Sequence, residues 1–206
     1  AFGLCNATLG TSNAVTSDNC SVTALSWIMS GATTGASALT GINNIGTQTF
    51  NVGVTTITYL VSDASGNTAT CAYTVTITDN QVPTIACAAD VTISADAGLC
   101  SSSAVVLGVP VTADNCGIST TINNGVSPYA VGTTTVTWTT TDVNGNTATC
   151  TQLVTVTDNE LPVITACAAD VTISADAGLC SSSAVVLGAT TATDNCSVAT
   201  ITNDGV

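Results

Sequence analysis

The chain has 206 residues and carries no Lys, Arg or His against 13 Asp and Glu residues, so its formal net charge at pH 7 is −13. A chain without cations cannot displace counterions from phosphates or bind anionic lipid through basic clusters, which excludes nucleic-acid binding and recruitment to membrane surfaces. No Ser-His pair, Lys base or Arg clamp can form, so we expect no enzyme, with a carboxylate pair for glycoside hydrolysis as the remaining formal possibility.

The predicted elements are strands throughout, with no helical periodicity. VTTITYLVSD and TATCAYTVTITD alternate β-branched and aromatic residues on either side of SGN, which predicts a hairpin. ADVTISADAGLC then predicts a strand that ends in an Asp/Gly turn with positive φ at Gly98 and at its later copy Gly178, and SAVVLG predicts a short buried strand. TTTVTWTTTD and TATCTQLVTVTD predict a second hairpin around NGN.

The chain is internally repeated. The 23 residues ACAADVTISADAGLCSSSAVVLG occur at 86–108 and again, letter for letter, at 166–188. With the landmarks GLC, DNC and TATC, they indicate a period of about 80 residues, as in an array of tandem domains. The spacing predicts a first repeat at 1–78 that lacks its opening strand and carries an insertion, a complete repeat at 79–158, and a truncated repeat at 159–206. Because the chain starts and stops within a repeat, we expect it to be a segment of a longer protein.

About seven short strands in about 80 residues indicate an all-β fold, made of tandem immunoglobulin-like antiparallel β-sandwich repeats. Aromatic residues are 3% of the chain, so each core is small and disulfides are expected to supplement it. Ten cysteines indicate an oxidising, extracytoplasmic compartment, and the absence of CxxC and His argues against zinc. No apolar run is long enough to cross a membrane, so we expect no membrane insertion.

Several motifs resemble the hyalin repeat (HYR) module, in the four-cysteine form seen in large bacterial surface proteins. They are DNELPVITACAADVTISADAG, ATDNC, AVGTTTVTWTTTDVNGNTATC and LVTVTD, and in repeated form they cover essentially the whole chain. Ala88 and Ala168 depart from the pattern, since family members usually have proline after this cysteine. The resemblance implies an extracellular immunoglobulin-like sandwich used in adhesion, as in gliding-type adhesins of the Bacteroidetes, and it brings no catalytic residues.

We therefore expect a structural segment of a secreted, disulfide-stabilised filament or adhesin stalk at the cell surface. The alternative is a non-catalytic carbohydrate-binding or spacer module of a secreted hydrolase. The expected partners are further copies of the chain or neighbouring repeats of the same long chain, with surface polysaccharide as a further candidate. Trp138 falls in an alternating strand and is expected in the core, whereas Trp27 adjoins the insertion and is a candidate contact residue.

Acidic residues recur at three matching places: the junction between repeats, the DNC loop and the hairpin turn. In an immunoglobulin-like topology these loops meet the linker, so Asp114 and Asp142 are expected to converge on Asp79, and Asp194 to approach Asp158. Oxygen-rich clusters suit Ca²⁺, which takes six to eight oxygen ligands. The predicted ligands are Asp79, Asn80, Asp114, Asp142, Asp158, Asn159, Glu160 and Asp194. The alternative is that these residues only form turns and strand ends.

Four cysteines per repeat allow three disulfide connectivities. In sandwiches of the kind that the resemblance implies, the first and last strands can run side by side, which pairs Cys87 with Cys150. The other predicted pairs lie within repeats: Cys100 with Cys116, Cys5 with Cys20, and Cys180 with Cys196. A straight strand of about 15 residues would part Cys100 from Cys116 far beyond disulfide reach, so that pair requires a bend near Gly108 and Pro110. Otherwise Cys100 reaches a neighbouring repeat, with Cys196 as the candidate.

These pairs leave Cys71 and Cys167 without a partner. The first repeat lacks the strand that would carry a partner for Cys71, and the third lacks the strand that would carry one for Cys167. We expect both partners either in further sequence of the same polypeptide or in an adjoining subunit. In the second case Cys167 of one subunit would be bonded to Cys71 of the next.

Overall fold

A computed structural model describes residues 3–203, and all of its regular elements are strands, which confirms the predicted fold class. In chain order they are β1 Asn6–Gly10, β2 Val22–Gly31, β3 Gly35–Ala36, β4 Gly41–Ile42, β5 Thr47–Asn51, β6 Gly53–Asp63, β7 Thr68–Ile77, β8 Thr84–Ala86, β9 Val91–Ser94, β10 Ser101–Ser102, β11 Val111–Ala113, β12 Ile118–Asn123, β13 Tyr129–Ala130, β14 Gly132–Asp142, β15 Thr147–Thr157, β16 Val163–Ala166 and β17 Thr191–Thr193. Within residues 3–203, no helix has the length and apolar character needed to span a bilayer.

The chain forms two compact units. The first comprises Ala1–Ala86, Val111–Ile122 and Thr139–Thr149, and the second comprises Cys87–Pro110, Asn123–Trp138 and Cys150–Val206. Strands β14 and β15 contribute residues to both units. Since this division follows compactness rather than the sequence period, the repeat boundaries at 79 and 159 stay a prediction.

The first unit contains a five-stranded sheet in the order β3-β2-β6-β7, with β4 also paired to β2. The predicted hairpin is β6–β7, and the alternation of β6 buries Thr55, Ile57 and Tyr59, whereas most of β7 is exposed. The core cluster is Leu25, Met29, Ile45, Phe50, Ile57 and Tyr59, with Trp27 packed against it. The insertion of the first repeat forms β3 and β4 beside β2 and contributes Ile45. Trp27 is therefore a half-buried packing residue, and its role as a contact residue stays a prediction.

The middle repeat has a four-stranded sheet in the order β12-β14-β15-β9, in which β9 runs parallel to β15. Within the second unit, Val136, Trp138, Val154 and Val156 are buried, which confirms the core position predicted for Trp138. The indole Nε1 of Trp138 donates to Oε1 of the fully buried Gln152 at 3.1 Å, and Gln152 Nε2 donates to the carbonyl of Ala89. This chain of hydrogen bonds satisfies the polar atoms that the core would otherwise leave without partners.

The repeated 23-residue segment shows which predictions depend on tertiary partners. Gly98 and Gly178 have φ of 72° and 78°, as the turn prediction required. The prediction of a buried strand at SAVVLG was wrong, because residues 104–108 form no strand and Val106 is 81% exposed. Instead of pairing with a strand, this segment packs closely against Ala88 at Gly108. A Cβ added to this glycine would lie only 2.6 Å from the Cβ of Ala88.

Candidate functional site

The two junctions between repeats contain the same set of polar contacts, and each includes a DNC loop. Asp114 Oδ2 accepts hydrogen bonds from the backbone N–H groups of Cys116 and Gly117, at 2.7 and 3.1 Å. Asp194 Oδ1 accepts from Cys196 and Ser197 at 2.9 and 3.2 Å. Short acidic side chains favour this local turn, so the loop sequence orients the Asn and Cys that follow the Asp.

The asparagine of each DNC loop connects two repeats. Asn115 Nδ2 donates to the carbonyl of Leu4 at 3.3 Å and lies 3.4 Å from Asp79 Oδ1. At the later junction, Asn195 Nδ2 donates to the carbonyl of Leu99 at 2.9 Å and to Asp158 Oδ1 at 3.3 Å. In both cases the leucine comes from the GLC motif of one repeat and the asparagine from the DNC motif of the next.

A second polar contact joins the same motifs. The backbone N–H of Gly98 donates to the carboxylate of Glu160 at 3.0 and 3.1 Å. At the first junction Gln81 stands in the place of Glu160, and Gly3 N donates to its Oε1 at 3.3 Å. The two junctions therefore repeat the same contacts with nearly the same residues.

Disulfide bonds close both junctions. Cys5 is bonded to Cys116 and Cys100 to Cys196, with Cα–Cα distances of 4.8 and 4.7 Å. Each bond again joins a GLC motif to the DNC motif of the following repeat. The third disulfide is the predicted Cys87–Cys150 bond, which links the segment before β9 to the neighbouring β15.

The predicted pairing within repeats was wrong. Cys100–Cys116, Cys5–Cys20 and Cys180–Cys196 do not form, and Cys20 and Cys180 are free and exposed. Cys100 and Cys116 each have another partner, and residues 104–110 contain no hydrogen-bonded turn. Cys100 is bonded to Cys196, which is the alternative that the sequence left open. Cys71 and Cys167 are free and exposed, and a disulfide to further sequence or to an adjoining subunit stays a prediction.

Acidic groups converge at both junctions as predicted for Asp79 with Asp114 and for Asp158 with Asp194. A carboxylate oxygen of Asp79, one of Asp114 and the Cys116 sulfur lie within 4.8 Å of one another, and Asp158, Asp194 and Cys196 repeat this arrangement. The sulfurs are in disulfides and are not thiolate ligands. Asp79 Oδ2, Asp114 Oδ1 and Asn115 Oδ1 are buried without a hydrogen-bond partner, and so is Asn195 Oδ1 at the second junction. Such oxygens fit a hard cation, because each would otherwise be desolvated without compensation.

Asp142 does not join this cluster. Its carboxylate accepts from the backbone N–H groups of Asn144 and Asn146 and from Asn146 Nδ2, all at 2.8 Å. Burial tends to raise the pKa of Asp142, but the hydrogen bonds from Asn146 and Asn144 outweigh it and lower the pKa below its usual value. The hairpin reaches the linker through Asn146, whose Nδ2 also donates to the carbonyl of Asp79 at 3.2 Å.

The remaining predicted ligands have other contacts. Glu160 binds the Gly98 N–H group, and Asn159 Nδ2 donates to Ser94 Oγ at 2.8 Å and Thr157 Oγ1 at 3.3 Å. Asn80 lines a cavity of about 380 Å³ together with Asp79. Sequence reasoning missed Asn115 and Asn195, although the repetition of DNC and GLC in each repeat is the signal that points to them.

Comparison with known proteins matches this repeated architecture to one family. The HYR domain matches residues 11–77 and 78–156. The chain belongs to the HYR domain family. It is also similar to a protein named hyalin from Strongylocentrotus purpuratus, with 32% identity over 144 residues. The alignment covers 67% of this chain but 12% of that relative, so the chain spans about one eighth of its length.

Membership of the HYR family fits a non-catalytic module of the adhesion type. It is consistent with the expectation that the chain is not an enzyme. The three disulfides indicate a secreted or surface-exposed protein, since such bonds persist in oxidising compartments. In this HYR chain the disulfides serve two purposes: one closes a repeat, and two join successive repeats.

Proposed function

We propose that this chain is a structural segment of a secreted filament or adhesin stalk on a bacterial cell surface, of the kind found in the Bacteroidetes. The observation that carries the proposal is the repeated junction. Both junctions join a GLC motif to the next DNC motif through a disulfide, an Asn-to-Leu hydrogen bond and a contact from Gly N–H. Because each repeat can form the same junction with the next, an array of this kind can be extended by further repeats. The proposed partners of the chain are further copies of it or neighbouring repeats of the same long chain.

Electron microscopy of the native material tests this proposal. We expect fibres on the cell surface that are labelled along their length by antibodies against this chain. A cell surface without labelled fibres would contradict the stalk. Antibody label found only on a secreted hydrolase would also contradict it and would support the spacer or carbohydrate-binding alternative.

We further propose that the two junctions bind Ca²⁺. The support is the pair of matching acidic clusters and the buried oxygens of Asp79, Asp114 and Asn115 that have no donor. At the first junction the ion would be held by Asp79, Asp114 and the amide oxygen of Asn115. At the second junction it would be held by Asp158, Asp194 and the amide oxygen of Asn195. Because the residues described contain no cationic side chain, a bound cation is the available means to offset the repulsion between these carboxylates.

Calcium is expected to raise the thermal unfolding midpoint of the full chain, and titration calorimetry is expected to show two ions per chain. A ligand that binds only the folded state stabilises it by about 2.7 kcal/mol at 100 times its dissociation constant. Asp114→Asn should reduce the stoichiometry to one ion, and Asp114→Asn combined with Asp194→Asn should abolish binding.

Asp18→Asn is the matched control. Asp18 forms the same turn with Cys20 and Ser21, at 2.8 and 3.2 Å, but belongs to no acidic cluster among residues 3–203. This variant should still bind two ions. An unfolding midpoint that is the same with calcium and with chelator would refute calcium binding.

A further inference from the structure

The two junction disulfides attach to the middle repeat at the two ends of one short segment. Cys116 is bonded to Cys5 of the first repeat, and Cys100 is bonded to Cys196 of the third. About 16 residues of backbone separate these two attachment points. We call residues 100–116 the strap. A pull on the two flanking repeats therefore reaches the middle repeat at the two ends of the strap.

The rest of the middle repeat lies outside the strap in the sequence. The sheet β12-β14-β15-β9, with the buried Trp138, is built from residues before 100 and after 116. A covalent path through this sheet runs from Cys116 to Cys150, crosses the disulfide to Cys87 and ends at Cys100. That path contains about 47 residues, so it stays slack while the shorter strap is intact. Tension in the strap therefore does not stretch the sheet.

Two short ladders hold the strap to the repeat. Strand β10 pairs with β13 over two residues, and β11 pairs with β8 over three. Thr84 Oγ1 donates to the carbonyl of Ala113 at 2.9 Å, and Val131 N donates to the carbonyl of Cys100 at 3.1 Å. The Asp96 carboxylate accepts hydrogen bonds from the first residues of the strap. Each ladder is a separate two-stranded sheet, and such small sheets are only marginally stable.

The part of the strap between the ladders has few stabilising contacts. Residues 103–110 form no strand, and Val106 and Val109 are 81% and 88% exposed. Gly108 packs closely against Ala88 but does not take part in a ladder. Segments with exposed side chains and short ladders open at a lower free energy than a buried sheet. The strap can therefore leave the repeat before the sheet opens.

We propose that residues 100–116 are the load-bearing and elastic element of the repeat. Under tension the strap detaches from β8 and β13 and straightens, while the sheet stays folded. This inference rests on the proposed filament, since a surface stalk is a structure that bears tension. The detached strap stays tethered to its repeat at both ends, so it can pair again when the tension falls. Loops of about 10 residues close in about 10–100 ns, whereas β-sandwiches fold in milliseconds to seconds.

The absence of Lys and Arg provides a direct test, because trypsin cuts after these residues and the unmutated chain offers it no site. Val106→Lys places one site in the strap. Val126→Lys places one site outside the strap, between β12 and β13, at a residue that is 78% exposed. After cutting, disulfides still hold the two fragments of each oxidised variant together. Force spectroscopy with handles at the two termini then measures the extension between Cys5 and Cys196.

The two cuts are expected to have different effects. Cutting Val106→Lys should lengthen the full extension from about 65 Å to about 175 Å, because the load then passes through about 47 residues and the Cys87–Cys150 disulfide. The stretching curve should also gain the force peak of an unfolding sheet. Cutting Val126→Lys should leave the extension at about 65 Å. An unchanged extension after the first cut, or an equal lengthening after the second, would overturn the inference.

The contacts of the strap are tested separately from its path. Thr84→Val removes the hydrogen bond to Ala113 and should make the strap detach about fivefold faster at a fixed force. Val154→Ala is the control, because it leaves a cavity in the buried sheet and should lower the urea midpoint. Its strap should detach at the unmutated rate, since β15 is not stretched. Faster detachment in Val154→Ala would show that the sheet carries the load and would contradict the inference.

The strap and the filament fail in different ways. Labelled fibres on the cell surface, together with an extension that the cut at Val106→Lys does not change, would refute the strap and leave the filament intact. A lengthening specific to that cut, together with a cell surface free of fibres, would refute the filament and leave the load path of the chain intact.

Discussion

Stretched by its two ends, the oxidised chain is expected to extend about tenfold less between Cys5 and Cys196 than the reduced chain. The shortest covalent path between them crosses the Cys5–Cys116 bond, follows the backbone from residue 116 back to residue 100, and crosses the Cys100–Cys196 bond. That path contains about 16 residues and can reach about 65 Å, whereas about 190 residues of reduced chain can reach about 650 Å. Force spectroscopy with handles at the two termini measures the difference.

Two double variants distinguish the junction disulfides from pairing within repeats. Cys87→Ser with Cys150→Ser should leave the short extension unchanged, because that disulfide does not lie on the shortest path. Cys5→Ser with Cys116→Ser should lengthen it to about 330 Å, since about 95 residues up to Cys100 are then released. Pairing within repeats would give several hundred ångströms already in the unmutated chain. An oxidised chain that extends that far would contradict the junction disulfides.

Removal of the Cys5–Cys116 disulfide is expected to cost about 4–5 kcal/mol of unfolding free energy in the chain-entropy description. The bond closes a sequence separation of 111 residues, so without it the unfolded chain gains many conformations. Cys5→Ala with Cys116→Ala should therefore lower the urea midpoint of the first unit strongly. Equilibrium urea unfolding measures the loss.

The free cysteines serve as controls for this experiment. Cys20→Ser and Cys180→Ser alter exposed thiols that make no disulfide, so each should change the unfolding free energy by no more than about 0.5 kcal/mol. A double variant at Cys5 and Cys116 that unfolds like the unmutated chain would show that this bond does not constrain the unfolded state. A large loss at Cys20 would indicate a bond within the first repeat instead.

The disulfide pattern illustrates how far sequence spacing can be taken. The Cys87–Cys150 bond follows from the adjacency of first and last strands that the family resemblance implies, and the structure contains it. The junction bonds depend on whether the chain reverses between Cys100 and Cys116, and the sequence offered Gly108 and Pro110 as a bend. Spacing limits the reach of a cysteine, but the path of the backbone decides which partner lies within that reach.

The acidic clusters illustrate the same limit. Repetition of Asp at the linker and in the DNC loop was sufficient to predict that Asp79 meets Asp114 and that Asp158 meets Asp194. The exclusion of Asp142 was not predictable, because its carboxylate is consumed by hydrogen bonds from its own turn. Asn115 and Asn195 can be located in the sequence. Their role in connecting repeats depends on the carbonyl groups of Leu4 and Leu99, which belong to a distant motif.

The duplicated 23-residue segment separates what the sequence determined alone from what the tertiary structure decided. The turn forms in both copies: Asp96 accepts from Ser103 N and Oγ at 2.8 and 2.7 Å, and Asp176 accepts from Ser183 at 2.9 and 2.8 Å. In both, the Ser103 or Ser183 hydrogen bonds lower the pKa of the aspartate. The strand forms only at Val91–Ser94, beside β15, and not at 171–174. A turn satisfies its polar groups within a few residues, whereas a strand needs the backbone of a neighbour, and that neighbour is supplied by the fold.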